Sequence, residues 1–214
     1  MFASISRIHF PVTTLGPGRR VGVWFQGCSI QCPGCISVDT WQHDSGRMPL
    51  ADLVGEIRAM ASEADGLTIS GGEPFEQPEV LRDVLAAWRE VSVGSILVFT
   101  GRELREIGSW LVAHPGLVDA VMSGPFVSSE PQTLALRGSD NQILTVLTPR
   151  GSEFAEYHRV IDASDRKLDV MFEADGNAWF AGVPARGDLA RLRRAMAASG
   201  HSIMTSDQLG IAGQ

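Results

Sequence analysis

Two hydrophobic patterns alternate along the chain. Short runs rich in β-branched and aromatic residues, at 5–10, 21–25, 67–70, 96–100, 117–122 and 142–147, read as strands. Between them, apolar positions recur at helical spacing. Leu50, Leu53, Val54, Ile57 and Ala61 follow Pro49, which suits a first helical position; Leu81, Val84, Leu85 and Trp88 mark a second helix, and 102–113 a third. Strands at 168–173 and 178–181 flank Asp175-Gly176-Asn177, a hairpin-type turn, and a last helix covers 188–198. The strand–helix–strand order predicts a parallel sheet with right-handed crossovers. A complete eight-unit barrel takes about 250 residues, and this chain has 214. The expectation is therefore an α/β fold. It is a partial (incomplete) β/α barrel with mainly parallel strands and a small C-terminal hairpin. A single domain would span 1–214, with its core at about 20–150 and the hairpin and helix at about 165–200.

Hydrophobic residues make up 44% of the chain and charged residues 20%, enough apolar surface for a core. The formal net charge of −7 disfavours a nucleic-acid partner, which calls for a basic face. MFASISRIHF has no basic start, apolar core and cleavage site, so it does not read as a secretion signal. The longest uncharged stretch, Val21 to Val38, holds two Gln, a Pro and all three Cys, which excludes a membrane span. A cytoplasmic location is expected, and three bunched cysteines do not make a disulfide framework.

Those cysteines carry the first chemistry. Cys28, Cys32 and Cys35 follow the 21–25 strand with the spacing C-x3-C-x2-C. Three adjacent thiolates repel one another unless a cation or an iron–sulfur cluster offsets their charge. Iron–sulfur clusters usually take four Cys. Three would leave one iron open, as a catalytic metal requires. Zinc with His43 as a fourth ligand, or a disulfide with one spare thiol, are the alternatives. The second element, Ser70-Gly71-Gly72-Glu73-Pro74, follows the next strand and precedes a helix. Glycines at a strand end permit close approach to the backbone. Glu73 offers a carboxylate to a ligand ammonium. By itself the segment is equally a turn with an acidic first helical turn.

Together the two elements resemble the radical S-adenosylmethionine superfamily. GCSIQCPGCISVDTW, with Cys-Pro-Gly-Cys and a following Trp41, resembles more narrowly the anaerobic ribonucleoside-triphosphate reductase-activating proteins. The resemblance implies a 4Fe–4S cluster on Cys28, Cys32 and Cys35. It also implies S-adenosylmethionine bound near Gly34 and at Ser70, Gly71, Gly72, Glu73 and Pro74, with Glu73 on the amino group. Thr100 would meet the ribose. Ser123-Gly124-Pro125-Phe126 and Arg137-Gly138-Ser139-Asp140-Asn141-Gln142 resemble two further family segments. There Arg137 would meet the S-adenosylmethionine carboxylate, with Asn141 beside it, and Gly182-Val183-Pro184 adds a C-terminal echo.

The implied activity is reductive cleavage of S-adenosylmethionine to a 5′-deoxyadenosyl radical, which installs a glycyl radical on a partner enzyme. A flavodoxin or ferredoxin would donate the electron. Three departures bear on the partner: Ile36-Ser37 stands where the activators have His-Asn, Ser123 where they have Asp, and Phe99-Thr100-Gly101-Arg102 where they are richer in Tyr. A radical enzyme acting on a peptide or small metabolite, and a non-catalytic iron–sulfur or zinc module, are the other readings.

Overall fold

A computed structural model describes residues 1–172, 178–206 and 208. Its main sheet has seven strands. In chain order these are β1 (Phe2–Val12), β2 (Arg20–Phe25), β3 (Arg47–Pro49), β4 (Gly66–Gly71), β5 (Ser95–Phe99), β6 (Ala120–Ser123) and β7 (Ile143–Val146). Across the sheet the order is β3-β1-β2-β4-β5-β6-β7. The inner four, β2, β4, β5 and β6, are parallel. Their crossovers are α1 (Leu50–Ala61), α2 (Pro78–Val91) and α3 (Leu104–Ala113).

Apart from β3, the pattern of apolar residues anticipated these elements. It did not anticipate the edges, where β1 pairs antiparallel with both β2 and β3, and β7 pairs antiparallel with β6. No helix separates β6 from β7, and without a crossover the chain turns back beside the strand it has left. Pro49 precedes α1 as its cap instead of opening it.

Side chains alternate between the two faces of the sheet. Val21, Val23, Phe25, Leu67, Ile69, Ile96, Val98 and Val121 pack under the three helices against Leu53, Ile57, Leu81, Leu85 and Trp88. Fully burying such a side chain contributes about 1.5–3 kcal/mol. The opposite face carries Leu97, Ala120, Met122 and Leu144, packed against Phe154.

Arg20, fully buried, sits on that face at the strands' N-terminal ends. Its five N–H groups reach Thr68, Pro17, Leu67 and Ser95, through both the hydroxyl and the carbonyl of Ser95. Phe154 lies 5.1 Å from the guanidinium. Burial pushes the Arg20 pKa down to about 10, against the pull of Glu153.

The C-terminal hairpin, β8 (Leu168–Phe172) and β9 (Ala178–Gly182), is antiparallel and precedes α4 (Asp188–Ala198). The expected turn at Asp175-Gly176-Asn177, with Glu173, lies outside the described residues. Among the described residues no helix is long and apolar enough to cross a membrane.

Candidate functional site

The C-terminal ends of the parallel strands open onto a cavity of about 450 Å³. Parallel sheets collect ligands at this edge. The loop after β2 brings Cys28, Cys32 and Cys35 to the cavity wall with Gly34, and all three thiols are free. Gly27, Gln31 and Gly34 adopt left-handed backbone at φ +99°, +47° and +81°, which curls the loop.

The loop is pinned at several points. The Gly27 amide donates to the Thr40 carbonyl at 2.8 Å, and the Cys28 amide to that of Trp41 at 3.1 Å. Ser29 N–H donates to Glu76 Oε1 at 2.9 Å, and Glu76 Oε2 lies 2.9 Å from His43 Nε2. Burial pushes the Glu76 carboxyl up, but Ser29 and His43 outweigh it and hold the group below the ordinary carboxylate range. The Ser37 amide, at 3.4 Å, and the Trp41 side chain donate to the Cys35 sulfur.

Burial pushes all three thiols up, and the charge of Glu73 adds to this at Cys28 and Cys32. A neutral thiol is a poor metal ligand, so a cation among them is needed to favour thiolates. Among the described residues no His, Cys, Asp and Glu side chains group in threes as a single ion requires. A cubane cluster spreads its thiolates over separate irons. His43, the zinc alternative's fourth ligand, is held by Glu76. The donor set fits the cluster.

Glu73 is fully buried yet faces the same cavity. It caps a short 3₁₀ turn (Pro74–Glu76), accepting from the Phe75 amide at 3.0 Å. Thr100 Oγ1 donates to its Oε1 and Oε2 at 2.8 and 2.9 Å, and the Gly101 amide to Oε2 at 2.9 Å. Burial pushes its carboxyl up, and these donors, with the charge of Arg102, pull it back in part. Among the described residues it forms no ion pair. A buried carboxylate cradled only by neutral donors suits a ligand ammonium.

Gly71 and Gly72 have a role the sequence did not indicate. A Cβ on Gly71 would lie 2.4 Å from the Phe25 carbonyl oxygen, and on Gly72 2.2 Å from that of Gly27. The Gly72 and Glu73 amides donate to those same two carbonyls, both at 2.8 Å. The glycines thus let one motif's backbone dock on the other's.

Ser70, Gly34 and Thr100 also line the cavity; Pro74, Arg137 and Asn141 do not. Pro74 is buried in the turn after Glu73. The Arg137 guanidinium donates to the carbonyls of Gln142, Ala135 and Tyr157. Asn141 Nδ2 donates to the Pro125 carbonyl at 2.9 Å. Gln142 bridges Gly138 N–H and the Gly124 carbonyl. These two segments stitch the loop from Gly124 to Gln142, and only Gly124, Phe126, Gly138 and Gln142 among their residues reach the cavity. Sequence reasoning missed Glu76, although it lies one 3₁₀ turn beyond Glu73.

Residues 14–145 match the 4Fe–4S single cluster domain family. The chain is 29% identical over 145 residues to the anaerobic ribonucleoside-triphosphate reductase-activating protein of Escherichia coli (strain K12), an alignment covering 64% of this chain and 94% of that protein. With the protein of the same name from Enterobacteria phage T4 it shares 30% over 135 residues, 60% of this chain and 85% of that one. With the pyruvate formate-lyase-activating enzyme of Clostridium pasteurianum it shares 34% over 91 residues, 40% of this chain and 38% of that one.

Proposed function

The chain belongs to the 4Fe–4S single cluster domain family, and from that premise we propose that it is a radical S-adenosylmethionine activase. It installs a glycyl radical on a partner enzyme, an anaerobic ribonucleotide reductase being the partner its relatives' names suggest. One observation carries this reading: the Gly72 and Glu73 amides bind carbonyls that lead into the cysteine loop, so the Glu73 carboxylate and three free thiols face one cavity.

Cys28, Cys32 and Cys35 hold the cluster. When bound, it supplies the electron that cleaves the sulfonium, giving methionine and a 5′-deoxyadenosyl radical that abstracts hydrogen. Glu73 receives the ligand's ammonium, and Thr100 orients Glu73 in place of meeting the ribose. Arg137 and Asn141 support the loop behind Gly138 and Gln142. The sheet acts as the wall of an incomplete β/α barrel within one domain, and the protein works in the cytoplasm with a flavodoxin or ferredoxin as electron donor. A second reading, a peptide or small-metabolite substrate, is favoured by Ile36 and Ser37 on the cavity wall in place of His-Asn.

The test is anaerobic reconstitution with iron and sulfide, reduction by dithionite, and addition of S-adenosylmethionine. A reduced-cluster resonance that changes on adding the ligand, with 5′-deoxyadenosine formed and both lost in Cys32→Ala, supports the enzyme. A cluster that ignores S-adenosylmethionine, or bound zinc, leaves a non-catalytic module. A glycyl radical on the purified reductase separates the first reading from the second.

A further inference from the structure

The family match stops at residue 145, but the cavity wall does not. Phe180 of β9, Val183 and Pro184 beyond it, and Leu189 in the first turn of α4 line the same space as the three cysteines and Glu73. More than a third of the chain lies outside the alignment with the Escherichia coli protein.

This C-terminal segment is fastened to the core. Asp169 accepts from the Thr13 amide at 2.7 Å and from the Thr13 and Thr14 hydroxyls at 2.8 and 3.0 Å. Thr14 also donates to the Ala181 carbonyl at 2.9 Å, and Gln132 to that of Pro184 at 2.9 Å. Trp179 meets Trp24 edge-on at 5.0 Å. Gly182, at φ +137°, makes the bend toward the cavity, where a Cβ would meet Leu168 Cδ2 and the Lys167 carbonyl oxygen at 2.8 Å.

The chemistry of the lining is divided. The thiols and the Glu73 carboxylate all come from segments before residue 101. Phe180, Val183, Pro184 and Leu189 are apolar, Arg186 beside them turns its guanidinium to the Glu130 carbonyl, and Trp24 and Phe99 add aromatic surface from the sheet. A ligand with a charged amino-acid end and a planar, weakly polar end suits such a cavity. We propose that residues 180–189 form the binding surface for the nucleoside end of S-adenosylmethionine, contributed by a segment outside the family match. This rests on the cofactor reading above.

The test titrates full-length, anaerobically reconstituted protein separately with S-adenosylmethionine, 5′-deoxyadenosine and methionine by calorimetry. In Val183→Asp, affinity for the first two falls about tenfold or more, because a carboxylate is placed against the base. Methionine binding and iron content per chain stay as in the unmodified protein, as do all values in Val112→Asp on the exposed side of α3. Should Val183→Asp not fold, Leu189→Ser is judged by the same criterion. Unchanged affinity for 5′-deoxyadenosine and S-adenosylmethionine in a folded variant overturns the assignment alone. An unmodified protein that binds no S-adenosylmethionine brings down the cofactor reading and this assignment with it.

Discussion

The single hydroxyl of Thr100 lies 2.8 and 2.9 Å from the two carboxylate oxygens of Glu73 and accepts from the Arg102 amide at 3.0 Å. It is 4% exposed and Glu73 is wholly buried, so water does not replace the bond when it is lost. Thr100→Val keeps the shape and removes the donor. Hydrogen bonds to charged groups contribute about 1.5–3 kcal/mol. S-adenosylmethionine binding measured by calorimetry weakens by that amount, while iron content is unchanged.

Glu73 also sets a pH dependence. Burial raises its carboxyl above the ordinary range. The proton is thus bound more tightly folded than unfolded, and the ligand-free fold loses stability as pH rises through the folded value. An ammonium ligand prefers the ionised form, so its affinity moves the other way and falls as pH drops. That fall begins above the ordinary carboxylate range. Glu73→Gln removes the titrating group, so binding isotherms across pH lose this dependence along with most of their affinity.

Two glycine substitutions separate the site from the scaffold. In Gly72→Ala the new methyl would press on the Gly27 carbonyl oxygen at 2.2 Å, and backbone has little room to yield. The two motifs part, and S-adenosylmethionine binding is lost while far-ultraviolet circular dichroism keeps its native shape. Gly55, inside α1, has no atom within 4 Å of its Cβ position. Gly55→Ala stabilises the protein by about 0.5–1 kcal/mol in urea unfolding, through helix propensity alone.

Asp119 binds the structure together away from the cavity. Its carboxylate, fully buried, accepts from Arg89 at 2.5 Å, the Ile96 amide at 2.7 Å and Thr148 at 2.5 Å. Its loss leaves the Ile96 amide and the Thr148 hydroxyl unsatisfied, at about 1–3 kcal/mol each, while Arg89 keeps the Gly94, Gly116 and Leu117 carbonyls. Asp119→Ala is destabilised by that order in urea titration, with S-adenosylmethionine binding retained in whatever fraction stays folded.

The core strands and helices were legible because period-2 and period-3.6 patterns report burial on a sheet face or a helix stripe. The strand Arg47–Pro49 was not. Three residues hold no periodicity, and Pro49 reads as a helix start. Strand direction at β1 and β7 was hidden for another reason: alternation gives the faces of a strand, not its neighbour's polarity.

At the site, motif order placed the cysteines and Glu73 on one cavity. Arg137 read as a ligand partner because its segment resembles a family loop, and sequence cannot tell whether a guanidinium faces a ligand or its own carbonyls. Buried Arg20 left no trace either, since its partners are mostly backbone carbonyls and small hydroxyls far along the chain.

The two amide–carbonyl bonds from Gly72 to Phe25 and from Glu73 to Gln26's neighbour Gly27 have a thermodynamic consequence. They make the cysteine loop and the Glu73 turn parts of one backbone arrangement, so anything that firms up one firms up the other. Such linkage is reciprocal. By whatever factor a loaded cysteine loop tightens the hold on S-adenosylmethionine, S-adenosylmethionine tightens the hold on iron by the same factor. At equilibrium a given chelator concentration therefore leaves more iron on protein saturated with the nucleoside ligand than on protein without it.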